Sequence, residues 1–174
     1  PRAAGFAACS SGAGASIVTG DARALPYRGG IFDLVLARDL LHHVAEHRAR
    51  VVEEMKRVCR PGGHVVVVES NPLHPVVAAL AIARPGERGM LSMSPGWIAR
   101  AIGRDWHPEV IREEPSTLAR IVWYRTWSGR IPPTGRTGRI VSALERMARV
   151  AEPRGLWAYL VVRGRKPGLR HPAQ

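Results

Sequence analysis

Apolar residues in this chain alternate between two spacings, most clearly between Ser16 and Asn71. Ser16 to Gly20 is a short β-branched run ending at Gly20-Asp21, and Ile31 to Ala37 is an apolar run entered after Gly29-Gly30. Both predict buried parallel strands. From Ala45 to Cys59 the spacing changes: Val51, Val52, Met55, Val58 and Cys59 recur at helical intervals, with Glu46, Arg48, Arg50, Glu53, Glu54, Lys56 and Arg57 between them. That pattern predicts an amphipathic helix lying on a sheet. Pro61-Gly62-Gly63 is expected to stop it, and the four valines in His64 to Glu69 predict a strand covered on both faces.

Strand, helix and strand in this order make a right-handed βαβ unit, with both strand ends on one edge of the sheet. Ligands of such sheets bind beyond those ends. Asp21-Ala22, Arg38 to His43 and Glu69 to Pro72 are therefore expected to line one crevice. Further on, Pro95 to Gly103 predicts a helix, Glu109 to Leu118 includes a strand, and Ile121 to Trp127 is aromatic-rich. Ile131 to Gly138 reads as loop, Val141 to Val150 as a helix, and Leu156 to Arg163 as a final strand. The chain after Gly164 reads as an unstructured tail.

Composition sets the bounds. A chain of 174 residues, 45% hydrophobic, buries one core, so one domain is expected. Its longest apolar stretch, Pro75 to Ala83, is far short of the roughly 20 residues a membrane span requires, and no charged-then-apolar leader opens the chain. Cys9 and Cys59 form no CxxC pair, which argues against a disulfide framework or zinc cluster and favours a cytoplasmic setting. The net charge of +12 is concentrated from Arg84 onward, where 17 basic residues face 7 acidic ones. These are scattered singly and almost all arginine, which reads as compositional bias and disfavours nucleic acid as a partner. A basic face that attracts an anionic substrate, a polynucleotide or an acidic membrane surface is the competing reading, and peripheral membrane association stays open.

Four blocks go further. Gly20-Asp21-Ala22-Arg23-Ala24-Leu25-Pro26-Tyr27, Phe32-Asp33-Leu34-Val35, Leu41-His42-His43-Val44 and Arg57-Val58-Cys59-Arg60-Pro61-Gly62-Gly63, in this order, resemble the central motifs of class I S-adenosylmethionine-dependent methyltransferases of the type 11 kind. The resemblance is specific over Ile17 to Pro72 and looser to Lys166, where Tyr159 to Pro167 resembles the family's last strand. It implies an α/β fold, a Rossmann-like mostly parallel sheet with flanking helices. It also implies S-adenosyl-L-methionine as cofactor and methyl transfer to a small-molecule acceptor. Domain organisation follows: residual helix and linker at 1–15, cofactor-side core at 16–72, variable substrate-side region at 73–140, final helix and strand at 141–167, and tail at 168–174.

By that resemblance Gly20, Asp21 and Ala22 contact adenine. The chemistry agrees, because a carboxylate beside a backbone N–H complements adenine's donor and adjacent acceptor. The bland alternative for Asp21 is a turn-forming residue after a strand. Arg38, Asp39 and Leu41 would line the methionine end of the cofactor. One departure matters: the family's first strand and Gly-x-Gly-x-Gly loop have no counterpart here. Ser11 to Ala15 contains glycines but lacks the strand-loop-helix context and reads as linker. Pro1 to Ala8 resembles the end of a helix, so the chain is expected to start inside the fold, truncated at its N-terminal side.

Methyl transfer from a sulfonium is an in-line displacement in which alignment dominates and a general base is optional. His42 and His43 are the candidates for that base, each weighed evenly against core packing or helix capping. A metal site is not expected, on the argument that adjacent histidines point in different directions and that His47 lacks a carboxylate in register. Glu69, Asn71 and His74 are candidate substrate contacts, with loop solvation and a Pro72-Pro75 turn slightly favoured. Trp123 and Trp127 belong to a second-half cluster of aromatics that offers an apolar substrate wall for a lipid-like, aromatic or glycosidic acceptor; core packing is the favoured alternative. The competing functions are a nicotinamide-dependent oxidoreductase, a basic module binding RNA or an anionic surface, and an inactive fragment that aggregates or dimerises through exposed edges.

Overall fold

The computed structural model describes residues 18–113, 135–136, 139–140, 143, 146–147 and 157–168. Seven regular elements organise them: β1 (Phe32–Arg38), α1 (Arg48–Val58), β2 (Cys59–Ser70), α2 (Pro75–Ala83), α3 (Pro95–Ile102), β3 (Glu109–Glu113) and β4 (Tyr159–Arg165). The strands form one sheet in the order β1-β2-β4-β3. β1 runs parallel to β2 with α1 between them in sequence, whereas β4 is antiparallel to both β2 and β3. The described sheet is therefore mixed, with flanking helices.

Burial of α1 and α3 against the sheet builds the core. Val51, Val52 and Met55 of α1 and Ile98 and Ile102 of α3 pack with Val65, Val67 and Val162 and with Trp106. A fully buried aliphatic side chain of this kind stabilises the fold by roughly 1.5–3 kcal/mol. The start of α3 is set locally, by Pro95 in the first turn and by Ser94, whose Oγ accepts the Trp97 N–H at 3.1 Å. Val77, Ala81 and Met90 form a separate smaller cluster.

Several expectations need correction. Residues 18–20 form no strand, and Val18 is exposed; no neighbouring strand pairs with them among the described residues. β1 is a strand as expected but not a buried one: it ends the described sheet, and Leu34 and Leu36 are each 57% exposed. The expected helix Ala45 to Cys59 divides, with a 3-10 segment Leu41–His47 before α1. The backbone leaves helical geometry at Val44 (φ −114°, ψ 42°), and at the entrance to the segment the Leu40 and Leu41 N–H groups are bound by the Glu69 carboxylate.

α1 ends at Val58, ahead of Pro61, and Cys59 is already extended. β2 accordingly begins at Cys59, five residues before the expected start, and crosses the Pro61-Gly62-Gly63 block in a register irregularity opposite β1. A Cβ on Gly63 would lie 2.8 Å from the Asp33 carbonyl oxygen, so the strands approach there as only glycine permits. The end of the chain is more ordered than expected: β4 runs to Arg165, and Lys166 pairs with Gly62 and Gly63. The Lys166 ammonium donates to the Lys56 and Cys59 carbonyls at 2.8 Å each, closing the C-terminal end of α1. Most of the expected loop 131–138 and helix 141–150, the residues 1–17, the aromatic run 121–127 and the tail 169–174 lie outside the described residues.

Candidate active site

Three strand ends meet at one edge of the sheet. β1 and β2 arrive with their C-termini and antiparallel β4 starts there, Ser70 pairing with Tyr159. Beyond β1 the chain turns at Asp39 with φ of 48°, a left-handed conformation that aspartate tolerates better than most residues. Its N–H donates to the Val68 carbonyl at 2.9 Å. Its carboxylate lies 3.5 Å from the Ser70 hydroxyl and 3.3 Å from the Tyr159 hydroxyl, both of which donate to it. Arg38 stands 3.7 Å from the same carboxylate and 5.1 Å from the centre of the Tyr159 ring.

Behind this edge lies a buried polar cluster. Glu69 is fully buried and accepts from the Leu40 N–H at 3.0 Å, from the Leu41 N–H at 2.6 Å and, through its other oxygen, from His42 Nδ1 at 2.6 Å. Burial disfavours a charged His42, but the Glu69 hydrogen bond together with the charges of Glu69, Asp39 and Glu87 outweighs it and raises the imidazole pKa. His43 is exposed, and its ring lies 3.9 Å from that of His42, centre to centre, at 48°. The two rings are thus neighbours, contrary to the expectation that adjacent histidines diverge.

The Asp21 turn sits across an apolar groove from β1. Ala22, Leu25 and Tyr27 line one side, Leu34, Leu36 and Leu40 another, and Val51 and Met55 the floor, around a volume of about 270 Å³. Asp21 takes the turn-forming role: it accepts from the Arg23 N–H at 2.9 Å and from the Arg23 guanidinium at 2.6–3.0 Å, which lowers its pKa to about 2. Gly20 rests against Pro26, where a Cβ would come within 3.0 Å of the ring. The turn is fastened to α1 by Glu54, which accepts the Leu25 N–H at 2.9 Å, and by Arg57, which donates to the Leu25 and Tyr27 carbonyls.

The remaining expected site residues are used internally. Leu41 belongs to the core and gives its N–H to Glu69. Asn71 is buried, its amide donating to the Trp157 carbonyl at 2.6 Å and its oxygen accepting from the Leu73 N–H. His74 is buried, and its Nδ1 accepts the Val77 N–H, capping α2. Trp123 and Trp127 lie outside the described residues. Ser70 lies within the expected Glu69 to Pro72 stretch, whereas Glu87 and Tyr159 reach the site without having been expected there. Tyr159 had a signal, since an antiparallel last strand must begin at the edge where β2 ends, but Glu87 sits in a 3-10 segment, Pro85–Ser92, that carries no readable periodicity.

Comparison with known proteins adds two findings. The fold is shared with solved methyltransferases: a S-adenosylmethionine-dependent methyltransferase from Archaeoglobus fulgidus superposes with a TM-score of 0.54 at 13% identity, covering 86% of this chain and 66% of that one. Phosphoethanolamine N-methyltransferase 2 of Haemonchus contortus, in complex with S-adenosyl-L-methionine, superposes at 0.52 and 16% identity, covering 84% and 36%. In sequence, residues 3–67 match the methyltransferase domain family. The segment is 44% identical over 64 residues to demethylmenaquinone methyltransferase of Mycolicibacterium vanbaalenii, covering 36% of this chain and 28% of that protein. It is 47% identical over 66 residues to phosphatidylethanolamine N-methyltransferase of Cereibacter sphaeroides, covering 35% and 32%. The match thus spans about a third of those relatives or less. The chain is thus similar to S-adenosylmethionine-dependent methyltransferases in fold and, over residues 3–67, to methyltransferase domains in sequence. No helix among the described residues is long and apolar enough to cross a membrane.

Proposed function

We propose that this protein transfers the methyl group of S-adenosyl-L-methionine to a small-molecule acceptor. The observation that carries the reading is that Ala22, next to the Asp21 carboxylate, and Leu40, next to Asp39 at the end of β1, line the same groove. The residues fit the cofactor by chemistry. A half-exposed carboxylate beside the Ala22 N–H offers the acceptor and donor that adenine requires, with Arg23 giving up part of its hold on Asp21. At the other end, Arg38 and Asp39 offer opposite charges to an amino acid's carboxylate and ammonium groups.

When bound, the cofactor supplies an electrophilic methyl carbon; the chain's part is alignment. Ser70 and Tyr159 hold the Asp39 carboxylate in place, and the apolar groove walls exclude water. His42 has Nδ1 committed to Glu69 and is buried, so the exposed His43 is the residue placed to accept a proton from an acceptor that carries one. Relatives named for demethylmenaquinone, phosphatidylethanolamine and norajmaline support an acceptor that is lipid-like or aromatic.

Calorimetric titration of S-adenosylhomocysteine into the 174-residue chain tests the reading. Saturable binding is expected, weakened at least about tenfold in Asp21→Ala, as loss of a charged hydrogen bond of roughly 1.5–3 kcal/mol implies. A folded chain that takes up none of the ligand would overturn it.

A further inference from the structure

The Leu41–His47 turn brings two imidazoles together, and methyl transfer has use for one at most. His42 is held from behind by Glu69, whose carboxylate accepts a hydrogen bond from Nδ1–H, so that in the neutral ring the lone pair is on Nε2. That Nε2 is buried and has no hydrogen-bond partner, although Glu87 Oε2 stands 3.4 Å away and is likewise buried without a partner. The two atoms are close but misdirected for a hydrogen bond. In the neutral ring a lone pair and a carboxylate oxygen so placed repel, and a positive charge between them, a proton or a metal ion, removes that repulsion. One nitrogen of His43 completes the group, and the three ligand atoms lie within 4.8 Å of one another.

We propose that His42, Glu87 and His43 form a binding site for a divalent transition-metal ion of the zinc type, with Glu69 orienting His42 from outside the coordination sphere. Imidazole and carboxylate are the donors such ions favour, and two ligands each about 2.0–2.1 Å from a tetrahedral zinc lie about 3.4 Å apart, the spacing of His42 Nε2 and Glu87 Oε2. A carboxylate on the far nitrogen of a metal-bound histidine is a recurrent support for such sites.

The two backbone segments holding these ligands are tied to each other. Arg48 joins the two segments, donating to the Leu41 carbonyl at 3.2 Å and, across the gap, to the Gly89 carbonyl at 3.3 Å and the Ser92 hydroxyl at 2.6 Å. Gly89 packs so closely on the His42 carbonyl that a Cβ would collide with it. An ion at this place takes the lone pair that His43 needs as a base, so the two roles exclude each other in the same molecule.

The inference does not depend on the methyltransferase reading, and its test contains no cofactor. Tag-free full chain is titrated with zinc by calorimetry and with cobalt(II) by visible absorption. One ion per chain is expected, with the cobalt form showing the visible bands of a low-coordinate nitrogen and oxygen site. Glu87→Gln should weaken binding at least about tenfold and Glu69→Gln about 10–100-fold, while His47→Ala, an exposed histidine outside the group, leaves it unchanged. Because Glu87 is partly exposed, its variant decides the matter even if a His42 variant fails to fold. No uptake by the folded chain, or uptake that Glu87→Gln and Glu69→Gln leave intact, overturns the site.

Discussion

Glu54 shows how one residue can escape a pattern that otherwise reads correctly. Its place in the helical repeat assigns it to the solvent face of α1, yet it is buried, because the segment after Asp21 folds back over that face and gives it the Leu25 N–H. The Arg57 hydrogen bond, with further help from Leu25 and Arg50 against the opposing effect of burial, lowers its pKa from 4.5 to about 2. A carboxylate with a depressed folded pKa stabilises the fold above its unfolded value and loses that contribution as pH falls through the folded one. Between about pH 4.5 and 2, the native chain should therefore lose stability more steeply than Glu54→Gln, which has no proton to gain there. Urea unfolding at a series of pH values measures both slopes; equal slopes would show that the Glu54 network contributes nothing. Asp21, by contrast, was legible from the sequence as a turn residue, since a short-range turn needs only its immediate neighbours. Glu54 was not, because its partner lies 29 residues away.

Among the elements, legibility followed periodicity. β1, α1 and α3 carry clear alternation or striping and fall within a few residues of where the sequence places them. α2 went unassigned because Pro75–Ala83 is apolar all round, and a helix without a polar face has no stripe to read. The Pro85–Ser92 segment was silent for the opposite reason, being too short and mixed, although it delivers Glu87 to His42. Two of its glycines separate packing from backbone effects. A Cβ at Gly89 would collide with the His42 carbonyl, whereas one at Gly86 meets nothing within 4 Å. Gly89→Ala should thus destabilise the fold by about 1–3 kcal/mol, as overpacking does, while Gly86→Ala should be neutral or stabilising by about 0.4–1 kcal/mol through the unfolded state. Chemical denaturation of the pair checks this, and equal effects would mean that the two segments are not clamped together.

At the scale of the whole molecule, periodicity supplies strands but not their neighbours. Nothing in the local pattern says that β4 inserts between β2 and β3, a placement that brings Tyr159 beside Ser70 and completes the polar edge. Nor does it show that β1 ends the described sheet with one side open. Isolated exposed apolar residues are ordinary, but Leu34 and Leu36 stand together along a groove already lined by Ala22, Leu25, Tyr27 and Phe32. A contiguous apolar surface of that kind takes up apolar fluorescent dyes in the native state, as loosely packed proteins do only when their packing is lost. The chain should accordingly enhance dye fluorescence while its near-ultraviolet dichroism remains that of a packed fold. Leu36→Lys should remove most of the enhancement, and Leu91→Lys, at an exposed leucine away from the groove, should not. If both variants bind dye as the native chain does, the uptake reflects general loosening, and the groove is not the surface that β1 presents at the end of the described sheet.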